Sequence, residues 1–157
     1  MKTKSTNREA TRTMKDQPEQ QSVAIVPMLY QKNLSEAIEF YKNAFGATER
    51  WRIENEGSTH VAEMLIGPAL FRLHEEVARD RFLSPATVNA TTAVIELLVE
   101  NPDEMAASAV AAGATELSPV QDYEYGYRQG TIRDPFGHQW TLEKMNDLYK
   151  VPTLNET

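Results

Sequence analysis

The sequence predicts an α+β fold made of two βαβββ modules packed side by side. Three observations predict it. Short β-branched or aromatic runs outnumber the helical stretches, and the order strand, helix, three strands occurs twice. The junctions of the two copies also match. Asn33 precedes the first helix and Phe45-Gly46-Ala47 follows it, while Asn101 precedes the second and Ala112-Gly113-Ala114 follows it. Internal duplication is a more specific signal than a single motif. Two such units, each curving a mostly antiparallel sheet over its own helix, form a concave trough.

The elements follow in order. Residues 22–30, SVAIVPMLY, read as a strand by their β-branched and aromatic content, and Pro27 makes it an edge or irregular one. Asn33 or Ser35 caps the next helix, where Leu34, Ala37, Ile38, Tyr41 and Phe45 keep helical spacing up to the Gly46 stop. Residues 48–56 and 59–66 are strands, and Gly67-Pro68 turns the second into a third at 69–76. Residues 91–100 open the second module. Its helix has Pro102 in the first turn, acids at the N-terminal end and Gly113 at the stop. Strands at 115–122, 127–134 and 138–145 complete it. The chain then divides, within one domain, into a mobile polar tail (1–21), a first module (22–76), a connection (77–91), a second module (92–145) and a C-terminal tail (146–157).

Composition narrows the function classes. The 157 residues are 41% hydrophobic and 25% charged, ordinary for a globular protein able to bury a core. A net charge of −7 argues against nucleic-acid and anionic-membrane partners. There is no cysteine, which excludes disulfides, thiol nucleophiles and zinc–thiolate sites and is consistent with a cytoplasmic location. No apolar run approaches the roughly 20 residues needed to span a bilayer.

The segment IRDPFGHQW (132–140) carries the most chemistry per residue. Asp134 and His138 can be read as catalytic. They can also be read as parts of a β-turn, in which Pro135 fixes φ, Gly137 frees it, and Asp134 accepts from nearby amides. The turn reading accounts for Asp, Pro and Gly together, and it puts His138 at the sheet rim. No catalytic residue is assigned.

This segment, as IRDPFGHQWTLE, together with LSEAIEFYKNAFGA and the twofold βαβββ order, resembles the vicinal oxygen chelate superfamily, which is the glyoxalase, bleomycin-resistance and extradiol-dioxygenase fold. The nearest likeness is to its small branch related to a phosphonate-operon protein. The resemblance covers residues 22–145 and implies a homodimer. It also implies four metal-ligand positions, which fall here on Val26, Arg72, Val94 and Thr141. Two valines and a cation do not hold a divalent ion. At about 4 Å and an effective dielectric of about 20, opposing unit charges cost about 4 kcal/mol. The expectation is therefore no metal and no other cofactor. The alternative is one divalent ion (Zn, Ni, Fe or Mn) on a noncanonical set of His74, Glu96 and Glu143.

Strand alternation assigns the lining of the trough. Met28 and Tyr30 share a side of the first strand with Val26, and the Gly67-Pro68 hairpin pairs Glu63 with Arg72 and Val61 with His74. Glu96 comes from the fifth strand. Trp140 and Leu142 are left for the core, and Trp51 for packing or a subunit contact. Arg72 can hold an anionic or polar ligand, or it can simply satisfy Glu63 in an ion pair. Tyr123, Tyr125 and Tyr127 are either an aromatic lid or β-surface aromatics. The candidate ligand-binding set is Met28, Tyr30, Glu63, Arg72, His74, Glu96 and Tyr127. The expected function is metal-free binding of a small molecule in the trough, of the sequestration or resistance type. The alternatives are a metal-dependent lyase, isomerase or dioxygenase, and a dimerisation module with no ligand.

Overall fold

A computed structural model of the chain describes residues 23–146. The readings of 1–21 and of everything beyond Asn146 as tails lie outside the described residues. The first module contains β1 (Met28–Gln31), α1 (Leu34–Phe45), β2 (Thr48–Asn55), β3 (Ser58–Ile66) and β4 (Ala69–Glu75). A 3-10 turn (Ala78–Asp80) and a one-turn helix, α2 (Pro85–Val88), follow. The second module contains β5 (Val94–Leu98), α3 (Pro102–Ala111), β6 (Thr115–Tyr123), β7 (Tyr127–Arg133) and β8 (Gln139–Met145). Each module forms one four-stranded sheet, in the orders β1-β4-β3-β2 and β5-β8-β7-β6. The β1–β4 and β5–β8 pairs are parallel and the rest antiparallel. The two sheets are therefore the same mixed sheet made twice.

The helix ends follow local chemistry. Asn33 accepts the Glu36 amide and Asn101 the Glu104 amide, each supplying a partner for a first-turn donor. Gly46 takes φ 63, the left-handed conformation that closes α1. Alternation then sorts each strand. Leu29, Ala62, Met64, Phe71 and Leu73 face α1, and Ile132, Trp140 and Leu142 face α3, all of them buried. The two helices lie against each other. Trp140 crosses between modules to pack on Tyr41, Phe45 and Phe71, with ring centroids 4.9 to 6.0 Å apart. Each large apolar side chain buried there contributes about 1.5–3 kcal/mol. The modules thus cohere through their helix sides, and each sheet keeps a helix-free face.

Three boundaries differ from expectation. The first strand begins at Met28, not Ser22, because Pro27 has no amide to donate; only its carbonyl joins the edge, accepting from Arg72 N at 2.9 Å. Val26, Ile25 and Val23 consequently lie outside the ladder. The fifth strand is limited to Val94–Leu98, since the Thr91 hydroxyl turns back to the Ala93 carbonyl at 2.8 Å. The connection carries structure of its own. Ser84 caps α2, and Glu76 Oε1 accepts from Ser84 N at 2.9 Å, from Ser84 Oγ at 2.6 Å, and from the Thr87 hydroxyl. Among the described residues, no helix is long and apolar enough to cross a membrane.

Candidate functional site

The helix-free face of the first sheet gathers most of the predicted residues. Tyr30 on β1 lies beside His74 on β4, with ring centroids 5.3 Å apart, as the register Tyr30↔His74 requires. On its other side Phe82 stacks at 5.1 Å and 17°. Phe82 comes from the connection, where no periodicity marks it. Next along β4, Arg72 sits opposite Glu63 as predicted. Arg72 Nε donates to Glu63 Oε2 at 2.9 Å, and its guanidinium lies 5.7 Å from the centre of the Trp51 ring.

Glu63 is the hub of this face. Its side chain is 4% exposed, and it also accepts from Arg50 Nη1 at 3.0 Å and Trp51 Nε1 at 2.9 Å. Burial opposes its ionisation. Hydrogen bonds from Arg72 and Trp51, with the charges of Arg72 and Arg50, outweigh that and hold it below the ordinary carboxylate value. Sequence reasoning missed Arg50, which reaches Glu63 across a register shift in the β2–β3 ladder. Arg72 thus forms the ion pair with Glu63 that hairpin register predicts. Its Nε is committed to Glu63, while neither terminal nitrogen has a hydrogen-bond partner among the described residues and the side chain is 40% exposed. Trp51 is neither simple packing nor buried: it fixes Glu63 and flanks Arg72. Met28 lies at the edge of the same face, 38% exposed.

The helix-free face of the second sheet carries Glu96, Thr141, Glu143 and Tyr127. Thr141 pairs with Glu96 across the parallel ladder, and Glu143 with Leu98. Glu143 is 8% exposed, and its carboxylate has no hydrogen-bond or ion-pair partner among the described residues. Burial first, then the nearby Glu96 charge, push its carboxyl above the ordinary value. Tyr123, Tyr125 and Tyr127 form a row on this side, with ring centroids 5.0 and 6.3 Å apart. No hydrogen bond or ion pair joins Glu96 or Tyr127 to Glu63, Arg72 or His74 within the described chain. The predicted set thus falls into two groups, one on each sheet.

The DPFG segment is structural. Asp134 Oδ1 accepts the Phe136 and His138 amides at 3.0 and 2.9 Å, while Oδ2 accepts Trp140 Nε1 at 3.0 Å and the Tyr41 hydroxyl at 2.6 Å. With four donors on a carboxylate only 3% exposed, Asp134 is fully occupied. His138 is half-buried and places Nε2 3.0 Å from the Tyr30 carbonyl, tying the second module to β1.

The positions matched to metal ligands offer a divalent ion almost nothing. Val26 lies before β1, Val94 opens β5, Arg72 is a cation, and the Thr141 hydroxyl lies 3.5 Å from that of Thr131. This donor set does not fit the ion that such a site would hold. The alternative set is divided, with His74 on the first sheet and Glu96 and Glu143 on the second. The His74 Nδ1 is engaged with the Glu75 carbonyl at 2.7 Å. Among the described residues, no group of three or more His, Asp or Glu side chains comes together as a metal site.

Paired βαβββ modules with open sheet faces define the vicinal oxygen chelate fold. The chain belongs to the Glyoxalase/Bleomycin resistance protein/Dioxygenase superfamily, which it matches over residues 23–142. The protein Rv0887c of Mycobacterium tuberculosis is 32% identical over 123 residues, covering 76% of this chain and 72% of that protein. TioX from Micromonospora sp. ML1 shares the fold with a TM-score of 0.63 at 23% identity, over 78% of this chain and 95% of its own. The fosfomycin resistance protein FosX of Listeria monocytogenes, solved with Mn(II) and a dihydroxypropylphosphonic acid, aligns with a TM-score of 0.58 at 19% identity, over 83% and 92%.

Proposed function

We propose that this protein binds a small molecule on its helix-free sheet faces without a metal, in the manner of a sequestration or resistance protein of the cytoplasm. One observation carries the reading: Arg72 is held in orientation by Glu63 and Trp51 with both terminal nitrogens unclaimed among the described residues, beside the Phe82–Tyr30–His74 ring row. A guanidinium so fixed suits a planar anionic group, and the rings suit an aromatic or apolar body. The valines at the matched ligand positions support binding without an ion. The proposal includes a homodimer. The modules of one chain spend their helix sides on each other, so a second copy is what can cover the helix-free faces and join the two groups, as half-sites, into a trough.

The test uses the full chain with phenylphosphonate, benzoate and benzyl alcohol as probes. The anionic compounds should raise the melting temperature and benzyl alcohol should not, because a ligand selective for the folded state stabilises it by mass action. Arg72→Gln should remove the rise while leaving the circular dichroism unchanged. Elemental analysis after dialysis should find far less than one equivalent of metal, and sedimentation should give twice the 17.7 kDa chain mass. Stoichiometric Zn, Ni, Fe or Mn would overturn the reading.

A further inference from the structure

The second sheet's half-site has the opposite chemistry to the first. Glu143 is a residue more than nine-tenths buried whose carboxylate accepts no hydrogen bond and forms no ion pair among the described residues. Its strongest charged neighbour is another carboxylate, Glu96. A buried, unpaired acid beside a like charge is an unfavourable arrangement that a ligand cation would relieve. Three features surround it. Leu98 and Met145, 67% and 43% exposed, flank it with apolar surface. Together with Glu143, Val99, Glu100 and Lys144 they line a surface pocket of about 330 Å³ at the strand ends, where Lys144 is paired to Glu100 at 3.3 Å. The tyrosine row stands over the same sheet face, and Tyr125 is near enough to feel the Glu143 charge. Burial, then Tyr123, then Glu143 hold the Tyr125 hydroxyl above its ordinary value. Tyrosine faces attract organic cations, most strongly where water is displaced.

We infer that Glu143, with Glu96 and the Tyr123–Tyr125–Tyr127 row, receives an organic ammonium group, so that the ligand of this protein carries a basic nitrogen. The inference deepens the binding reading above and rests on it. With Arg72 on the other half-site, it makes the ligand class an amine that also bears an acidic or strongly polar group.

The experiment is calorimetric titration of the full chain with benzyltrimethylammonium, benzyl alcohol and benzoate. The expected result is that the cation binds at least tenfold more tightly than the alcohol. Glu143→Gln should then weaken the cation at least tenfold, and Glu96→Gln and Tyr125→Leu each about threefold. Glu143→Gln removes a charge that has no partner, so its melting temperature should hold or rise, and a loss of binding is not a loss of fold. Equal cation affinity in the wild type and Glu143→Gln would overturn the inference. So would Glu143→Gln loosening a dimer without changing cation affinity, since the carboxylate's partner would then be protein. Manganese or calcium alone binding more tightly than the organic cation, and losing that affinity in Glu143→Gln, would overturn it as well. Benzoate binding and its dependence on Arg72 are read in the same titrations. If they persist while the cation arm fails, only this inference falls.

Discussion

The Tyr41 hydroxyl donates to Asp134 Oδ2 at 2.6 Å, although the two residues are 93 positions apart in sequence. One belongs to the first helix and the other to the final turn, so this bond holds the two modules in register. Asp134→Ala would strand the Tyr41, Trp140, Phe136 and His138 donors together. Leaving a buried donor unsatisfied costs about 1–3 kcal/mol, so losing the shared acceptor of four donors should cost about 3 kcal/mol or more. Urea denaturation should show a loss of that size, and a loss below about 1 kcal/mol would mean that the network does not hold the modules.

The same pair predicts alkaline lability. Burial, then the Asp134 charge and hydrogen bond, raise the Tyr41 hydroxyl well above its ordinary value of about 10. Above that pH the unfolded chain loses this proton while the folded chain keeps it. The stability contribution is therefore whole below pH 10 and declines above it by about 1.4 kcal/mol per pH unit. Tyr41→Phe should flatten this decline in denaturation curves taken between pH 9 and 11, whatever it does at pH 7.

Glu143 predicts a decline of the same sign at lower pH. Its folded-state value is raised by burial and by Glu96, so the folded chain binds this proton more readily than the unfolded one. Stability then falls as pH rises from the ordinary carboxylate value through the raised one. Glu143→Gln should raise the urea midpoint at pH 7 and change it little at pH 4. One pKa unit corresponds to about 1.4 kcal/mol, and the gain should be of that order or smaller.

Gly137 carries a steric prediction. Its φ is +91, and a Cβ there would lie 2.5 Å from Ala86 N, which already donates to the Phe136 carbonyl at 3.0 Å. Gly137→Ala adds positive-φ strain to a backbone collision and should cost about 2 kcal/mol or more. Amide exchange at Ala86 should quicken well before global unfolding, because the clash pushes α2 off the turn.

The fold was legible because its signals are local. Asn33, Gly46, Asn101 and the Gly67-Pro68 turn declare themselves within a few residues, and the Glu63–Arg72 pairing follows from hairpin register alone. What escaped depends on distant residues. Nothing in the helix sequence marks Tyr41 as the partner of Asp134, and nothing in the connection marks Phe82 as part of an aromatic row. Alternation along β4 and β8 assigned Arg72, His74 and Glu143 to the helix-free sides of their sheets. It could not tell which way the two sheets face relative to each other, and that depends on how α1 meets α3.

Along β8, Trp140 and Leu142 point to the helices while Gln139, Thr141 and Glu143 point away. Adjacent positions in this strand therefore meet different physical demands. One set must preserve a shared interior, and the other can drift toward new chemistry without disturbing it. A lineage built on this duplicated unit can change what it recognises by rewriting every second residue, while its architecture stays as it was.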